Sequence, residues 1–302
     1  MLLHKIILWL RAARAPFFSA SVIPVLVGVS LARQEGFFNL PLFLAALAAV
    51  VSNHAGANLL NDYYDAAGSD PINQKVTPFS GGSRLIQEGL LSRAAYLKAA
   101  YLAFAINLII TLTLSLFFRN AAIAFLGISG FILGVFYSVN RIYAMGRGWG
   151  EIAVGLAFGP IAVMGSYLFQ TGRITWEALA SGIPVGLLVM GILILNEFPD
   201  WDADRKVGKR NWIVRAGCGN RGVMVYIITI TLAYLTVLGG VWSGLFPVRL
   251  LFSYATIPLA VWVGIKVWRF KNSVPEIIPA LAGNIALHLI TGILICVGLS
   301  WK

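Results

Sequence analysis

Nine long apolar segments alternate with short polar connections along the chain. They cover approximately residues 17–33, 40–61, 94–117, 120–139, 150–170, 176–196, 222–243, 247–267 and 276–300. A helix needs roughly 20 apolar residues to cross the hydrocarbon core of a bilayer, and each backbone group in lipid must be hydrogen-bonded within its own segment. The pattern therefore predicts an all-α polytopic membrane protein with about nine transmembrane helices, in a single domain over residues 1–302.

The composition agrees with this pattern. Hydrophobic residues make up 59% of the chain and charged residues only 12%, which leaves too little polar side chain to cover the surface of a soluble domain. The net charge is +11. Because the basic residues are spread over many connections, this charge indicates membrane topology and not nucleic-acid binding.

Basic residues are divided unequally between the two predicted sides of the membrane. If the N-terminus and every second connection share one side, all but five of the 23 basic residues lie there. The exceptions are Arg33, Arg119, Arg173, Arg249 and Lys302. The positive-inside rule makes the basic side cytoplasmic. All of the 12 acids except Glu35 and Glu177 share that side, so the chemistry is predicted at the cytoplasmic face of the cell (inner) membrane.

The first of two acidic stretches ends the second apolar segment. His54, Asn58 and Asp62 recur at intervals of four residues, and Asn61 and Asp65 lie beside them. This spacing directs side chains to one helix face, and polar residues inside a span usually face a cavity or another helix. For His54 alone, hydrogen bonding between helices is the simpler interpretation. The Asn and Asp residues instead predict a polar cavity that holds cations.

The second acidic stretch ends the sixth apolar segment. Asn196, Asp200 and Asp204 step by four residues and therefore share one helix face. A run of bases follows at once, Arg205-Lys-Val-Gly-Lys-Arg210. Acids next to bases suit a metal-chelated polyanion. Because each stretch follows an even-numbered segment, the chain predicts two four-helix halves plus a ninth helix, with the site in a central cavity between the halves.

The polar connection after the first stretch contains a pair of glycines followed by a base. Backbone N–H groups at Gly81 and Gly82 can approach an anion closely, and Arg84 offers a fork of donors. A two-glycine turn alone is a weak signal. Next to an acidic cluster it favours a diphosphate, because a metal-bound diphosphate needs both kinds of group.

Oxygen donors without Cys or His partners favour a hard cation. Mg²⁺ is usually bound by a few carboxylates together with substrate phosphates and water. A prenyl diphosphate fits the setting, because its charged head can lie at the helix ends and its apolar tail between the helices. The reaction favoured by such a site is ionisation of an allylic diphosphate with a stabilised leaving group, followed by alkylation of an acceptor.

Two further residues, Arg14 and Tyr137, each have two interpretations, and Glu151 has one. Arg14, at the mouth of the first segment, is either an interfacial anchor or part of the site. Tyr137 lies at the membrane level of the acids, where it lines a pocket and stabilises a carbocation through its ring or is an ordinary interfacial tyrosine. Glu151, near the start of the fifth segment, is explained by an interaction with the helix dipole.

Several motifs together resemble a known family. They are Asn61-Asp-Tyr-Tyr-Asp65 with Gly68 and Asp70, Gly81-Gly-Ser-Arg84, Tyr137-Ser138, Gly148-Trp-Gly-Glu151, and Asn196-x-x-x-Asp200-x-x-x-Asp204-x-x-x-Gly208-Lys209. This combination extends over nearly the whole chain and resembles the UbiA superfamily of intramembrane aromatic prenyltransferases. Within that superfamily, the Gly-x-Asp and Gly-Lys pairs are most similar to the 1,4-dihydroxy-2-naphthoate polyprenyltransferases of menaquinone biosynthesis.

The resemblance implies roles for the matching positions. The residues expected to hold Mg²⁺ and the polyprenyl diphosphate are Asn58, Asn61, Asp62, Asp65, Asp200 and Asp204, with the four aspartates as metal ligands and, together with Tyr137, as catalytic residues. Asn196 is expected to bind substrate, Arg84 and Lys209 to contact phosphate, and Arg14 to form the polar end of a pocket lined by Tyr137. In the naphthoate enzymes the acceptor carbon loses carboxylate as the prenyl group attaches.

One departure from the subfamily pattern affects the choice of acceptor. The second motif of the naphthoate enzymes often reads Asn-Asn-x-Arg-Asp, whereas this chain has Asn196-Glu-Phe-Pro-Asp200. Asn211 also replaces a common Thr. The resemblance therefore implies prenyl transfer, while the identity of the aromatic acceptor stays open.

Two alternatives follow from the residues. A prenyltransferase of the same fold can use 4-hydroxybenzoate, homogentisate or a glycerophosphate lipid as the acceptor. A divalent-cation transporter is a more distant alternative. A transporter should carry ionisable residues near the bilayer midplane, whereas here they gather at the ends of the segments.

Overall fold

The computed structural model describes residues 2–139 and 147–301. Within these ranges, nine helical spans are long and apolar enough to cross a membrane, as the apolar pattern predicts. They are Ala15–Gln34, Leu40–Asp65, Arg93–Phe117, Ala121–Ser138, Gly150–Thr171, Trp176–Lys206, Asn220–Trp242, Val248–Phe270 and Val274–Ser300. The prediction of an all-α polytopic membrane protein is confirmed. Arg141, in the connection between the fourth and fifth spans, lies outside the described residues.

Twelve α-helices build the described part of the chain. They are α1 (Leu2–Ala12), α2 (Ser19–Gln34), α3 (Leu40–Asp65), α4 (Arg93–Phe117), α5 (Ala121–Ser138), α6 (Gly150–Leu156), α7 (Ala162–Thr171), α8 (Trp176–Lys206), α9 (Trp212–Ala216), α10 (Asn220–Trp242), α11 (Ile257–Phe270) and α12 (Val274–Ser300). Short 3₁₀ turns cover Ala15–Phe18, Asp70–Ile72 and Val248–Thr256. A π-helical turn, Ala157–Ile161, joins α6 to α7 within one span.

Side-chain caps determine where several helices begin. Asn39 Oδ1 accepts a hydrogen bond from the Leu42 amide at the start of α3, and Thr175 Oγ1 accepts one from the Ala178 amide at the start of α8. Capping groups of this kind satisfy amides that lack a partner in the first helical turn. Each cap lies at the junction between a polar connection and an apolar run, so α3 and α8 begin where their predicted segments begin.

The helices that carry the acidic stretches extend well beyond their apolar segments. α3 continues to Asp65 and α8 continues to Lys206, although the apolar runs end near residues 61 and 196. The rise of about 1.5 Å per residue places the last turns of both helices beyond the apolar run. All predicted acids of the two motifs are therefore helical residues at the same end of the bundle.

α8 is the most enclosed of the spanning helices. In its most apolar window, 72% of the residues are buried inside the protein, compared with 56% for the next span, Ala15–Gln34. It packs against α6, α10 and α12, and α3 packs against α4 and α5. α2 packs against α7 and α12 and thereby links the N-terminal helices to the C-terminal ones.

Glycines bring the fifth span close to α8. A Cβ atom on Gly186 would lie 2.2 Å from the carbonyl oxygen of Gly155, and a Cβ atom on Gly182 would lie 2.6 Å from Pro160. Only glycine permits such close contact between backbones. This close backbone contact packs α6 directly against α8. Glu151 lies in the first turn of α6.

Candidate active site

A polar cavity of about 80 Å³ lies where the last turns of α3 and α8 meet. Its charged and amide-bearing lining residues are Asp65, Asp70, Glu197, Asp200, Asp204, Arg14, Lys209, Asn61, Asn73, Asn196 and Asn211. Among the described residues that line it, five acids face two cationic side chains. An excess of carboxylates in a confined space favours bound cations or protons. The two acidic stretches therefore form one site, as their helical spacing predicts.

The connection between α3 and α4 is fastened to the second acidic stretch. Asn73 Nδ2 donates a hydrogen bond of 2.7 Å to Asp200 Oδ1, and the Gly81 amide donates one of 3.2 Å to Asp200 Oδ2. On the exposed side, Lys75 forms an ion pair with Asp202. Three contacts thus hold the connection as a cover over the polar cavity, and Asp200 is the residue on which it docks.

The two glycines of this connection are required by geometry. Gly81 and Gly82 have φ angles of +82° and +77°, which glycine adopts at little cost. A Cβ atom on Gly82 would also lie 2.7 Å from Asp70 Oδ2. Arg84, predicted to contact phosphate, donates to the Asp70 carbonyl oxygen and lines a neighbouring groove beside α1 instead of the polar cavity. Its observed contact holds the turn that carries Asp70.

Lys209 links the two acidic stretches. Its Nζ atom lies 3.0 Å from Asp65 Oδ2 and 3.0 Å from Asp204 Oδ1, and it donates a 2.9 Å hydrogen bond to Ser69 Oγ. The side chain is only 3% exposed. Asn211 Nδ2 donates to the other oxygen of Asp204 at 2.9 Å. The base predicted to contact phosphate therefore occupies the space between the acids of both motifs.

Asp62 takes part in a separate network next to the cavity. One oxygen pairs with Arg14, and the other accepts hydrogen bonds from the amide and hydroxyl of Ser83. Ser83 Oγ also lies 2.6 Å from the Tyr96 hydroxyl. Asp62 is not among the residues that line the polar cavity. Asn61 and Asp65 line the cavity, whereas Asp62 lies beside it in contact with Arg14 and Ser83, and its expected role as a metal ligand stays a prediction.

A second, mostly apolar cavity of about 140 Å³ adjoins the first. The two cavities share six lining residues, namely Arg14, Asn61, Phe79, Tyr137, Leu193 and Asn196. Tyr137 thus lies at the boundary between a charged region and an apolar one. Asn58 lines only the apolar cavity, and its Nδ2 donates to the Ala13 carbonyl oxygen at 2.9 Å. The predicted Arg14, Asn61, Tyr137 and Asn196 are therefore brought together.

His54 also lines the apolar cavity. Its Nδ1 lies 2.8 Å from Ser21 Oγ, and its ring packs edge-on against Phe18 and Phe158 at centroid distances of 5.5 and 4.6 Å. The contact with Ser21 joins α3 to α2. This geometry agrees with the interpretation of His54 as a residue that hydrogen-bonds between helices.

A comparison with protein families identifies the family of the chain. The sequence profile of the UbiA prenyltransferase family matches residues 21–288. This range includes both acidic stretches and the connection that carries Lys209. The chain belongs to the UbiA prenyltransferase family. The resemblance carried by the sequence motifs is confirmed, and the protein is a prenyltransferase of the membrane.

Relatives of this UbiA protein include several naphthoate enzymes. The chain is 31% identical over 212 residues to a 1,4-dihydroxy-2-naphthoate octaprenyltransferase of Mycobacterium tuberculosis, covering 69% of this chain and 70% of the relative. It is 25% identical over 295 residues to the enzyme of that name in Bacillus subtilis, covering 97% and 92%. A 2-carboxy-1,4-naphthoquinone phytyltransferase of Synechocystis is 25% identical over 300 residues.

Solved structures of UbiA homologues share the fold. An apo homologue from Aeropyrum pernix superimposes with a TM-score of 0.71 at 18% identity, covering 92% of this chain and 97% of the homologue. A homologue from Archaeoglobus fulgidus, solved bound to GPP and Mg²⁺, superimposes with a TM-score of 0.63 at 15% identity, covering 96% and 99%. At these identities the likeness establishes the fold alone.

The UbiA site of this chain has donors that suit a divalent cation. The acids and amides offer hard oxygen ligands, which Mg²⁺ prefers. Burial, together with nearby Asp65 and Asp62, raises the pKa of Asp70 to about 7, despite the opposing effects of Arg14 and Lys209. Within residues 2–139 and 147–301, no three His, Cys, Asp or Glu side chains are already gathered tightly around one point. The oxygen donors of the cavity therefore fit Mg²⁺ chemically. In this structure the Lys209 ammonium lies between two of these acids, Asp65 and Asp204.

The spacing of the two acidic stretches does not predict four residues that line the polar cavity, namely Asn73, Asn211, Glu197 and Asp70. Asn73 and Asn211 lie in connections, where no periodicity signals which side chains turn inward. Glu197 is on α8, off the stripe formed by Asn196 and the aspartates, yet it lines the polar cavity. Asp70 belongs to the quoted first motif but not to the predicted ligands. The 3₁₀ turn Asp70–Ile72 after α3 places Asp70 at the cavity. The presence of Asp70 in the family motif is the signal in the sequence that could have found it.

Proposed function

We propose that this protein transfers a polyprenyl group from an allylic prenyl diphosphate to 1,4-dihydroxy-2-naphthoate, with loss of the acceptor carboxylate. The observation that carries the proposal is the pair of adjoining cavities, one acidic and one apolar, which share Arg14, Asn61, Tyr137 and Asn196. An amphiphile with a charged head and a hydrocarbon tail matches this division. Its reactive carbon, between head and tail, then lies at the boundary.

The diphosphate head is proposed to bind in the polar cavity with Mg²⁺. The residues proposed to hold the metal are Asp65, Asp200 and Asp204, with Asp70 as a further oxygen donor beside them. Bound Mg²⁺ supplies neutralisation of charge on the diphosphate leaving group. Lys209 and the Gly82 amide would supply hydrogen-bond donors for its oxygens. For Asp62, its contacts with Arg14 and Ser83 support an indirect role.

Loss of the diphosphate leaves positive charge on an allylic carbon at the boundary of the cavities. The ring of Tyr137 is suited to stabilise this charge by a cation–π interaction. Asn61 and Asn196, which line both cavities, supply neutral polar contacts next to it. Apolar residues such as Val189 and Leu193 surround the tail side and exclude water, which favours transfer to the acceptor over hydrolysis.

The acceptor is proposed from the relatives and the surroundings of the site. Naphthoate prenyltransferases match this chain from one end to the other. Arg14 provides a cation at the boundary of the cavities, where an aromatic carboxylate can bind it. Glu197 at the position where that subfamily often has Asn is a difference inside the cavity, and it makes the acceptor the part of the proposal that most needs a test.

The cytoplasmic face of the inner membrane is the proposed place of reaction. The end of the bundle that carries the polar cavity also carries the Arg11–Glu88 ion pair of 2.6 Å and most basic residues. The opposite end carries the Arg173–Glu35 pair of 2.8 Å. An excess of basic residues on one side supports a cytoplasmic location for that side.

The test is a turnover assay on the purified protein in detergent or lipid. A labelled long-chain prenyl diphosphate and Mg²⁺ are supplied with a panel containing 1,4-dihydroxy-2-naphthoate, 4-hydroxybenzoate, homogentisate and a glycerophosphate, with and without EDTA. We expect a prenylated, decarboxylated naphthoquinol that disappears with EDTA. Transfer to another member of the panel would reject the acceptor, and turnover unaffected by EDTA would reject the metal.

A further inference from the structure

Two buried glutamates meet behind the polar cavity, and the proposed transfer reaction gives neither a role. Glu151, in the first turn of α6, is 0% exposed, and Glu197, on α8, is 6% exposed. Their carboxyl groups accept hydrogen bonds from consecutive backbone amides, those of Trp212 and Ile213, which places the two carboxyls side by side, where they interact. Two buried acids in contact are costly unless their charge is reduced and their oxygens are satisfied.

Both glutamates bind the same backbone segment. Glu151 Oε1 accepts a hydrogen bond of 2.5 Å from the Trp212 amide, and Glu197 Oε2 accepts one of 3.3 Å from the Ile213 amide. These two amides begin α9. The Trp212 indole also donates to the Gly148 carbonyl oxygen at 3.0 Å. The pair thus joins the start of α6, the end of α8 and the start of α9.

One oxygen of the pair lacks an ordinary donor. Glu151 Oε2 is buried, and no N–H or hydroxyl group among the described residues donates to it. The group in contact with this carboxyl is Glu197, which acts as a donor only if it carries a proton. The surroundings include Asp204, Lys209 and Arg215. A single proton between the two carboxyl groups satisfies the orphaned oxygen and removes the repulsion of two adjacent anions.

The segment fixed by the pair delivers two residues to the polar cavity. Asn211 directly precedes the amides that the glutamates hold, and Lys209 lies two residues before Asn211. The two side chains contact Asp204, Lys209 at 3.0 Å and Asn211 at 2.9 Å. Asn211 also caps α9 by accepting from the Val214 amide at 2.8 Å. Displacement of Trp212 and Ile213 would therefore shift the Lys209 ammonium relative to Asp65 and Asp204.

We propose that Glu151 and Glu197 share one proton and, as a hydrogen-bonded acid pair, act as positioning residues that hold the Lys209–Asn211 segment against the polar cavity. The shared proton stands on the contacts alone. Its effect on diphosphate binding rests on the function proposed above. A Gln at either position keeps an oxygen for the backbone amide and an N–H for the other carboxylate, whereas Ala removes both.

The shared proton is tested by infrared difference spectroscopy on the full-length protein without ligands at alkaline pH. The spectrum should contain the C=O band of a protonated carboxyl group, and Glu151→Gln and Glu197→Gln should each remove it. Glu177→Gln, an exposed acid on the same helix α8, is the matched control and should leave the band unchanged. Absence of the band in the wild type, or its persistence in both Gln variants, would overturn the shared proton.

The positioning role is tested by amide hydrogen exchange and steady-state kinetics. Glu151→Ala and Glu197→Ala should raise exchange at residues 209–215 and raise the KM for prenyl diphosphate about tenfold, with the acceptor KM unchanged. The Glu151→Gln variant, whose residue does not line the polar cavity, should stay within about threefold of the wild type. A loss of kcat alone, with exchange unchanged, would overturn the proposal. If the Ala variants do not fold, loss of activity in the Glu151→Gln variant would overturn it. If the wild type transfers no prenyl group, the function proposed above fails. The infrared spectra and the amide exchange then still test the shared proton and the positioning of residues 209–215.

Discussion

Asn73 and Asp200 are 127 residues apart in the chain and are joined by a hydrogen bond of 2.7 Å. Their contact closes the polar connection of the N-terminal half over the second acidic motif. The carboxylate proposed to hold a cation is therefore the one on which the cover docks. The proposed cation binding and the observed docking of the connection would therefore use the same two carboxylate oxygens of Asp200.

We expect Asp200→Ala to lower kcat/KM by about a hundredfold or more, because it removes both a proposed metal ligand and the docking point of the connection. Asp202→Ala is the matched control, since the Asp202 side chain is 44% exposed and, within residues 2–139 and 147–301, its ion-pair partner is Lys75. Turnover of prenyl diphosphate with Mg²⁺ measures both. Comparable losses in the two variants would contradict the assignment of Asp200.

Lys209→Ala should weaken the binding of prenyl diphosphate more than that of the acceptor. It should also destabilise the metal-free protein by about 3–5 kcal/mol, because it leaves buried carboxylates without their cation. Separate titrations with the two substrates, and thermal unfolding in EDTA, check both statements. Lys206→Ala, an exposed base on the last turn of α8, is the control. A larger effect on acceptor binding than on diphosphate binding would contradict the proposed contact of Lys209 with the diphosphate.

Asp62 and Arg14 should behave as a unit. Because Asp62 pairs with Arg14, which lines the polar cavity, Asp62→Ala and Arg14→Ala should each abolish most transfer. The double variant should be little worse than either one, with a coupling energy of about 0.5–3 kcal/mol. A double-mutant cycle on kcat/KM measures this energy. Additive effects would show that Asp62 acts independently, as a metal ligand would.

The protonation of Asp70 should make the metal-free protein sensitive to pH. Burial and the nearby acids raise the pKa of Asp70 from 3.8 to about 7, so between these values the folded state binds more protons than the unfolded state. Stability should therefore fall as the pH rises through this window. Thermal unfolding in EDTA as a function of pH provides the measurement. Asp70→Asn should flatten the dependence, and an unchanged slope would contradict the shift.

Mg²⁺ should bind more tightly as the pH rises through about 7, because a protonated Asp70 is a poor oxygen ligand. Calorimetric titration of the protein with Mg²⁺ at several pH values measures this effect. The number of protons released should decrease in Asp70→Asn. An affinity that does not vary with pH in the wild type would exclude Asp70 from the metal site.

Gly82→Ala should cost more activity than Gly89→Ala. Both glycines have positive φ angles, so each substitution adds roughly 1–2 kcal/mol of backbone strain. Only the Cβ atom at Gly82 would meet another group, Asp70 Oδ2 at 2.7 Å, whereas that at Gly89 meets open space. Unfolding and turnover of both variants separate strain from collision. Equal losses of activity in the two variants would show that the close packing of Gly82 against Asp70 does not matter for the site.

The apolar pattern was sufficient to predict the nine spans, because the membrane imposes one secondary structure and one minimum length. It placed the helix ends less well. α3 and α8 continue through their acidic stretches, because a helix that has left the hydrocarbon core no longer needs apolar side chains, so the apolar run does not mark its end. Helix geometry also allowed the two motifs to be assigned to one site, even though Asp62 and Asp200 are far apart in the sequence.

Spacing alone could not resolve which residue of each stretch enters the cavity. Asn58 and Asp62 share a stripe with His54, but the rotation of α3 is determined by its contacts with α4 and α5. Asn61 and Asp65 consequently face the second motif. The partners of Asp200 in the α3–α4 connection, and those of Glu151 in α9, depend on tertiary contacts that leave no periodic signal in the chain.

The ammonium group of Lys209 gives the protein a built-in counter-ion for its acidic site. Folding and metal loading are therefore separable events, since the chain can insert into a membrane and pack before any divalent cation arrives. A chelator should then silence the protein without denaturing it, and the silenced protein should recover when the cation returns. We therefore expect biogenesis of this bundle to proceed whether or not the cell is supplied with the metal.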